Sequence, residues 1–209
     1  MIHLRVTQSM IGPDDLAPAV SALGKGGVVA FPTETFYGLA VDPRSAAAVK
    51  RVFELKRRAP DHALPLIASD VDQIVDHVGT MTPLAARLAS HGWPGPLTLI
   101  IPASSHLCDD VHLSTGKVAV RVPADAVARA LARSAGHAIT STSANISGDP
   151  PASTPESVVA SFGSSIDVLI DSGSTPAGLP STIIDATGGV PVLVRAGAIP
   201  WERVLEFSR

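Results

Sequence analysis

Val28-Val29-Ala30-Phe31-Pro32-Thr33-Glu34-Thr35-Phe36-Tyr37-Gly38-Leu39 changes character at Pro32. Its first four residues are an uninterrupted apolar run stopped by proline, which reads as a strand buried on both faces. That strand delivers Thr33, Glu34 and Thr35 to its exit, a position where polar residues often serve a ligand. Ahead of it, Leu16, Val20 and Leu23 recur at helical spacing behind Asp14 and Asp15, whose charges suit the positive end of a helix dipole. Gly24 to Gly27 stop this helix, which also accounts for Lys25 among the glycines. Downstream, Val49, Val52 and Phe53 mark one face of a helix that begins near Ser45 and runs into Lys56-Arg57-Arg58 before Pro60.

The alternation continues along the chain. Strands are expected over 64–67, 97–101, 118–122 and 138–142 and near Val168, Thr182 and Val192. Helices are expected over 70–77, 83–91, 126–135 and 155–162, with a closing helix from Pro200. Strands follow one another without a helix between Ile101 and Val118 and between Ile184 and Val192. The expectation is an α/β fold with a twisted mixed β-sheet flanked by helices, in one domain spanning 1–209. The Gly-, Pro- and Ser-rich stretches 147–155 and 173–180 read as surface loops able to close over a ligand.

Composition narrows the function classes. Apolar residues make up 45% of the 209 and charged residues 17%, a balance that folds rather than staying disordered. A net charge of -3 supplies no general attraction to nucleic acid or anionic membrane. The N-terminus lacks the apolar run of a secretory signal, no stretch is long enough to span a membrane, and Cys108 is the single cysteine. A cytoplasmic location is expected. Aromatic residues are few, and Trp93 and Trp201 read as core fillers without an assigned function.

The glycine loops of P-loop and dinucleotide-binding proteins are absent, as are HExxH, GxSxG and paired CxxC. His106, Cys108 and His112 cluster with Asp109 and Asp110, but without a second regularly spaced ligand pair they read as a solvated loop and not a metal site. Lys56, Arg58 and Arg195 are cations in segments bounded by apolar strands, and several fixed positive charges suit a triphosphate. At ~4 Å and an effective dielectric of ~20, each such contact is on the order of 4 kcal/mol before desolvation. The competing reading makes Lys56 to Arg58 a solvated helix end. Arg121 lies in Val118-Ala119-Val120-Arg121-Val122, where a buried guanidinium requires an anion, either a structural Asp or Glu or the carboxylate of a bound amino acid. Ser141, Ser143 and Asn145 alternate, so in extended geometry they project from one side, although Asn145-Ile146-Ser147-Gly148 also reads as a turn. Thr33, Thr35 and Tyr37 alternate in the same way.

These strings, together with Trp93-Pro94-Gly95-Pro96-Leu97-Thr98, Val120-Arg121-Val122-Pro123, Pro180-Ser181-Thr182-Ile183 and Val194-Arg195-Ala196-Gly197, resemble the TsaC/YrdC family of threonylcarbamoyl-AMP synthases. The resemblance runs from about Gly26 to Arg195 and implies the single-domain YrdC-like fold. It implies an enzyme that joins L-threonine, bicarbonate or CO2 and ATP into L-threonylcarbamoyladenylate and pyrophosphate, for the tRNA N6-threonylcarbamoyladenosine modification. On this resemblance ATP is held by Lys56, Arg58, Ser143, Asn145 and Arg195, with Lys56 and Arg58 also catalytic. L-threonine is held by Thr33, Thr35, Tyr37, Arg121, Ser141 and Ser181. Mg2+ arrives on the ATP phosphates, no protein metal site and no tightly bound organic cofactor are assigned, and the product passes to the tRNA threonylcarbamoyl transferase machinery. RNA is at most a weak direct partner, and no membrane is involved.

The sequence departs from the family pattern at two places. Ala59-Pro60-Asp61-His62-Ala63-Leu64 lengthens the step from Arg58 to Pro65-Leu66, and Ser69 stands where many members have a threonine-contacting His. Two other functions compete with the synthase reading. A double-stranded RNA-binding module would use the basic residues without ATP turnover, and a carbamoyl-adenylate-forming domain would draw on another carbamoyl source.

Overall fold

A computed structural model describes residues 1–7, 11–12, 14–59, 63–112 and 114–209. The strands are β1 (Ile2–Arg5), β2 (Val29–Phe31), β3 (Gly38–Ala40), β4 (Leu66–Ile67), β5 (Leu97–Pro102), β6 (Lys117–Arg121), β7 (Ile139–Thr140), β8 (Thr142–Ser143), β9 (Val168–Asp171), β10 (Thr182–Asp185) and β11 (Val192–Arg195). The helices are α1 (Ala17–Gly24), α2 (Ala46–Leu55), α3 (Val71–His77), α4 (Pro83–Gly92), α5 (Asp109–His112), α6 (Ala126–Ala135), α7 (Pro155–Phe162) and α8 (Trp201–Phe207). Five of them begin where a side-chain oxygen accepts a first-turn N–H: Ser45 from Ala48, Asp70 from Gln73, Thr82 from Ala85, Asp125 from Ala128 and Thr154 from Ser157. No helix among the described residues is long and apolar enough to cross a membrane.

The architecture is the expected mixed α/β type, but the strands divide between two sheets. One has the order β1-β9-β2-β3-β8 and the other β11-β10-β5-β6-β4-β7. The division explains a further departure from expectation. The run 138–142 reads as one strand, yet it breaks at Ser141, whose N–H is given to the Pro65 carbonyl. β7 then pairs with β4 in the second sheet and β8 with β3 in the first. Strands β1, β3 and β8 escape the hydrophobic pattern because each is short and carries small or polar residues. The antiparallel pairs β5–β6 and β10–β11 stand where helical crossovers were expected to be missing.

The His106 to His112 cluster is solvated only in part, with His106, Asp109 and Asp110 exposed. Its second half, Asp109–His112, is the turn of α5, with Val111 and His112 buried, and Leu107 ahead of it joins the core. Among the described residues no three His, Cys, Asp or Glu come together to hold a metal.

The core-facing residues of the second sheet follow the period of two. Leu97, Leu99 and Ile101 of β5, Val118 and Val120 of β6 and Ile184 of β10 face the main core. A second cluster, with Leu16, Leu23, Phe31, Ile67, Leu131 and Ile170, packs α1 against β2 and β9 and α6 against β4. Each fully buried Leu, Ile, Val or Phe contributes about 1.5–3 kcal/mol. The alternate residues of the second sheet are therefore left to face something else.

Candidate functional site

They face a cavity of about 840 Å3 between the two sheets. Thr98 and Ile100 of β5, Ala119 and Arg121 of β6, Ile183 of β10 and Arg195 of β11 form its floor. Arg195 lies opposite Ile183, which lies opposite Thr98, so the ladder hydrogen bonds fix these side chains in one row. The opposing wall comes from the β2–β3 connection and β8 and brings Thr33, Thr35, Tyr37, Ser141, Thr142 and Ser143. Arg58 borders the cavity, and Pro151, Gly178 and Pro180 belong to its rim. Both glycine- and proline-rich loops thus reach the opening. They are tied together there by the Thr175 N–H to Ser153 carbonyl bond of 2.8 Å and through Tyr37, whose N–H donates to the Ala152 carbonyl at 2.9 Å and whose hydroxyl donates to the Gly173 carbonyl at 2.7 Å. Burial, then the charge of Asp171, holds that hydroxyl above the usual tyrosine range.

Ser181 anchors the cationic floor. Its carbonyl accepts from Arg195 Nη2 at 2.7 Å and from Nε at 3.2 Å, and its hydroxyl lies 2.8 Å from Thr98 Oγ1. Gly197 explains why this strand end sits so close. A Cβ there would lie 2.3 Å from the Pro180 carbonyl oxygen, so only glycine allows β11 to bring Arg195 onto Ser181. Burial, and after it the neighbouring Arg121, lower the Arg195 pKa from its ordinary value.

Arg121, 7% exposed, donates from Nη1 to Glu34 Oε1. The buried guanidinium thus has a structural carboxylate in this state. Asp125 adds further negative charge nearby, its own carboxyl pushed up by burial. Glu34 Oε2 is buried without a hydrogen-bond partner among the described residues.

Lys56 does not line the cavity. It is 2% exposed, so the helix end is not solvated at this residue. Its ammonium donates to the Ser143 carbonyl, to the Asn145 carbonyl at 2.9 Å and to Asn145 Oδ1 at 3.2 Å. All three N–H donors are thereby used. Asn145 likewise departs from the expected comb. Its Nδ2 serves the Ile146 and Asp149 carbonyls at 2.9 and 2.8 Å, and its Oδ1 also accepts from Ser143 Oγ at 2.6 Å. The turn that follows β8 swings this residue behind the wall, where its amide has no bond left for a ligand. Burial and, second, the charge of Arg58 push the Lys56 pKa down to about 8.

Of the residues singled out from sequence, the cavity brings together Thr33, Thr35, Tyr37, Arg58, Arg121, Ser141, Ser143, Ser181 and Arg195, and it leaves Lys56 and Asn145 behind its wall. Ser69 is buried and points away, with its hydroxyl donated to Asp70. The lengthened step after Arg58 includes residues 60–62, which lie outside the described residues. Thr98 was missed as a site residue. Its signal was its place as an isolated polar residue on an apolar strand facing the Ser181 string.

The two sheets define a mixed α/β protein with a cavity between them lined by hydroxyls and guanidinium groups. The chain belongs to the Sua5/YciO/YrdC family, whose family model, described as "Telomere recombination", matches residues 21–197. A threonylcarbamoyl-AMP synthase of Pyrococcus abyssi is 38% identical over 89% of this chain, and the chain spans 55% of that protein's length. A threonylcarbamoyl-AMP synthase of Thiobacillus denitrificans is 41% identical over 80% of this chain and 89% of its own length. The crystal structure of Pyrococcus abyssi Sua5 complexed with L-threonine superposes with a TM-score of 0.90 at 36% identity, covering 99% of this chain and 60% of the other.

Proposed function

We propose that this chain is a cytoplasmic L-threonylcarbamoyladenylate synthase acting in tRNA N6-threonylcarbamoyladenosine formation. The observation that carries the reading is the convergence of Arg58, Arg121, Arg195 and the hydroxyls of Thr33, Thr35, Ser141, Ser143 and Ser181 on one cavity. These residues are far apart in the chain, and a cavity of this size suits ligands with several polar groups.

The threonine amine captures CO2 to give a carbamate, with one proton released. A carbamate oxygen attacks the α-phosphorus of ATP, the bond to the bridging oxygen breaks, and pyrophosphate leaves. The walls contribute positioning and charge stabilisation, and no side-chain nucleophile is needed. Arg58 and Arg195 face the charge that builds on the leaving group. Lys56 acts from behind through the Ser143–Asn145 turn, which it holds in place. Rim loops that close over the bound substrates exclude the water that would hydrolyse the mixed anhydride. The lining supplies hydroxyls and guanidinium groups rather than carboxylates, so a divalent ion enters as part of the MgATP substrate. The product passes to the tRNA-modifying transferase.

The test is pyrophosphate release with each substrate omitted in turn. Release that requires L-threonine, bicarbonate and ATP together supports the assignment. Release without threonine rejects it, and salt-sensitive RNA binding without turnover would favour an RNA-binding role instead.

A further inference from the structure

Thr98 sits on β5 between Leu97 and Leu99, which belong to the main core, and it lines the cavity while only 3% exposed. Valine would fill the same space with a similar preference for strand, and it has no hydroxyl to desolvate. The Thr98 hydroxyl therefore needs a partner, and the described hydrogen bonds give it one, Ser181 Oγ at 2.8 Å. The parallel register, with Ile183 opposite Thr98 and the Thr182 N–H on the Pro96 carbonyl at 3.0 Å, holds the two residues side by side.

A count of hydrogens gives the pair a direction. Arg195 can only donate, and its Nη2 does so to Ser181 Oγ at 3.1 Å. Two hydroxyl hydrogens remain, and the contact between Thr98 and Ser181 uses one of them. The other has no acceptor among the described residues, and both side chains line the cavity. If Thr98 donates, Thr98 and Arg195 fill both lone pairs of Ser181 Oγ, and the Ser181 hydrogen is the one left for the cavity. The reverse order would leave it on Thr98, the more buried of the two at 3% exposure against 8%. A donor that serves a ligand belongs on the more accessible oxygen.

We propose that Thr98 is a positioning residue: its hydroxyl donates to Ser181 Oγ and, together with Arg195, holds the Ser181 O–H toward the cavity as a fixed donor to a substrate oxygen. The inference rests on the reading of this cavity as a synthase site in which Ser181 serves L-threonine. Donation from Arg195 strengthens the Ser181 O–H as a donor, and fixing it in advance removes the cost of ordering it when substrate binds. Thr98 acts through Ser181 and needs no substrate contact of its own.

The experiment follows pyrophosphate release by the full chain and compares Thr98→Val, which replaces the hydroxyl by a methyl group, with Thr98→Ser, which keeps the hydroxyl. Thr98→Val should raise the KM for L-threonine about 3- to 10-fold, the range of one neutral hydrogen bond, and the KM for ATP by less than ~2-fold. Thr98→Ser should return the threonine KM to within ~2-fold of wild type. In a Ser181→Ala background there is no hydroxyl to orient, so Thr98→Val should add less than ~2-fold there. Thr98→Ala lacks the same hydroxyl and takes the place of the valine variant, with the same expectations, if that variant fails to fold. A threonine KM unchanged in the folded variant without the hydroxyl overturns the proposal. An equal rise in both KM values, or a full effect that persists without the Ser181 hydroxyl, overturns it as well. A wild type that releases pyrophosphate without threonine overturns the synthase reading itself, and the proposal with it.

Discussion

Lys56 and Arg121 are both buried cations, one behind the hydroxyl-bearing wall of the cavity and one on its floor, and they are held by different means. Lys56 is surrounded by neutral oxygens from Ser143 and Asn145, whereas Arg121 is paired with the carboxylate of Glu34. Carbonyl dipoles stabilise a charge without cancelling it, while a carboxylate cancels the charge it stabilises. The Lys56 region therefore keeps a positive field, which Arg58 extends, whereas on the floor Glu34 offsets Arg121 and leaves the neighbouring Arg195 as the net positive charge. The contrast teaches that a cation of the same class, equally buried, presents a net charge or a neutral pair according to what pairs with it.

The contrast is broken most severely at Arg121. Arg121→Ala leaves Glu34 as an unpaired buried charge, which should cost about 3–5 kcal/mol of stability in chemical denaturation. The same variant should lose threonine-dependent pyrophosphate release by more than ~100-fold, because the carboxylate contact and the fold of the floor fail together. A variant as stable as wild type would show that the pairing is not what holds the guanidinium.

Gly197→Ala attacks the other side of the floor without touching a charge. The added Cβ must displace the Pro180–Ser181 backbone, and the overpacking should cost about 1–3 kcal/mol. The KM for ATP should rise because Arg195 shifts from Ser181, while threonine binding measured alone changes less.

Proton loss from Lys56 separates activity from stability. The folded chain releases this proton near pH 8, well below the ordinary lysine value of 10.5 that applies to the unfolded chain. Between these values the unfolded state binds the extra proton, so this residue's contribution to stability rises with pH there and is constant below about 8. Activity runs the other way. Loss of the charge behind the Ser143 turn should lower turnover roughly 10-fold, or about 1.4 kcal/mol of transition-state stabilisation. A pH–rate profile flat through pH 8 would contradict this, as would a descending limb that tracks unfolding.

The smallest effect is expected at Ser69, whose hydroxyl serves Asp70 and not the cavity. Ser69→Ala should change stability by about 0.5–1.5 kcal/mol and the threonine KM by less than ~2-fold. A larger change in KM would return this position to the site.

What could be read from the residues divides along the same physical line. Val28 to Phe31, the runs at 97–101 and 118–122, and the helices with oxygen-capped starts are legible because periodicity and capping are local properties. The split at Ser141 is not. It depends on the Pro65 carbonyl, 76 positions earlier, capturing one N–H. Arg121 could be recognised as needing an anion from its apolar strand alone, but the choice of Glu34 depends on how the two sheets face each other. Asn145 was misplaced for a related reason: alternation puts it on the cavity side only if extended geometry continues, and the turn beyond β8 ends it. Strand identity was local information, and the partner of each polar group was not.

The proposed assignment of triphosphate and amino acid to different cations of the cavity is tested most directly by a crystal structure of the full chain with L-threonine and a non-hydrolysable ATP analogue. The account predicts the threonine carboxylate on Arg121 and the triphosphate against Arg58 and Arg195, with Lys56 still bonded to Ser143 and Asn145. A triphosphate on Arg121, or threonine bound outside the row of Thr98 and Ser181, would contradict it.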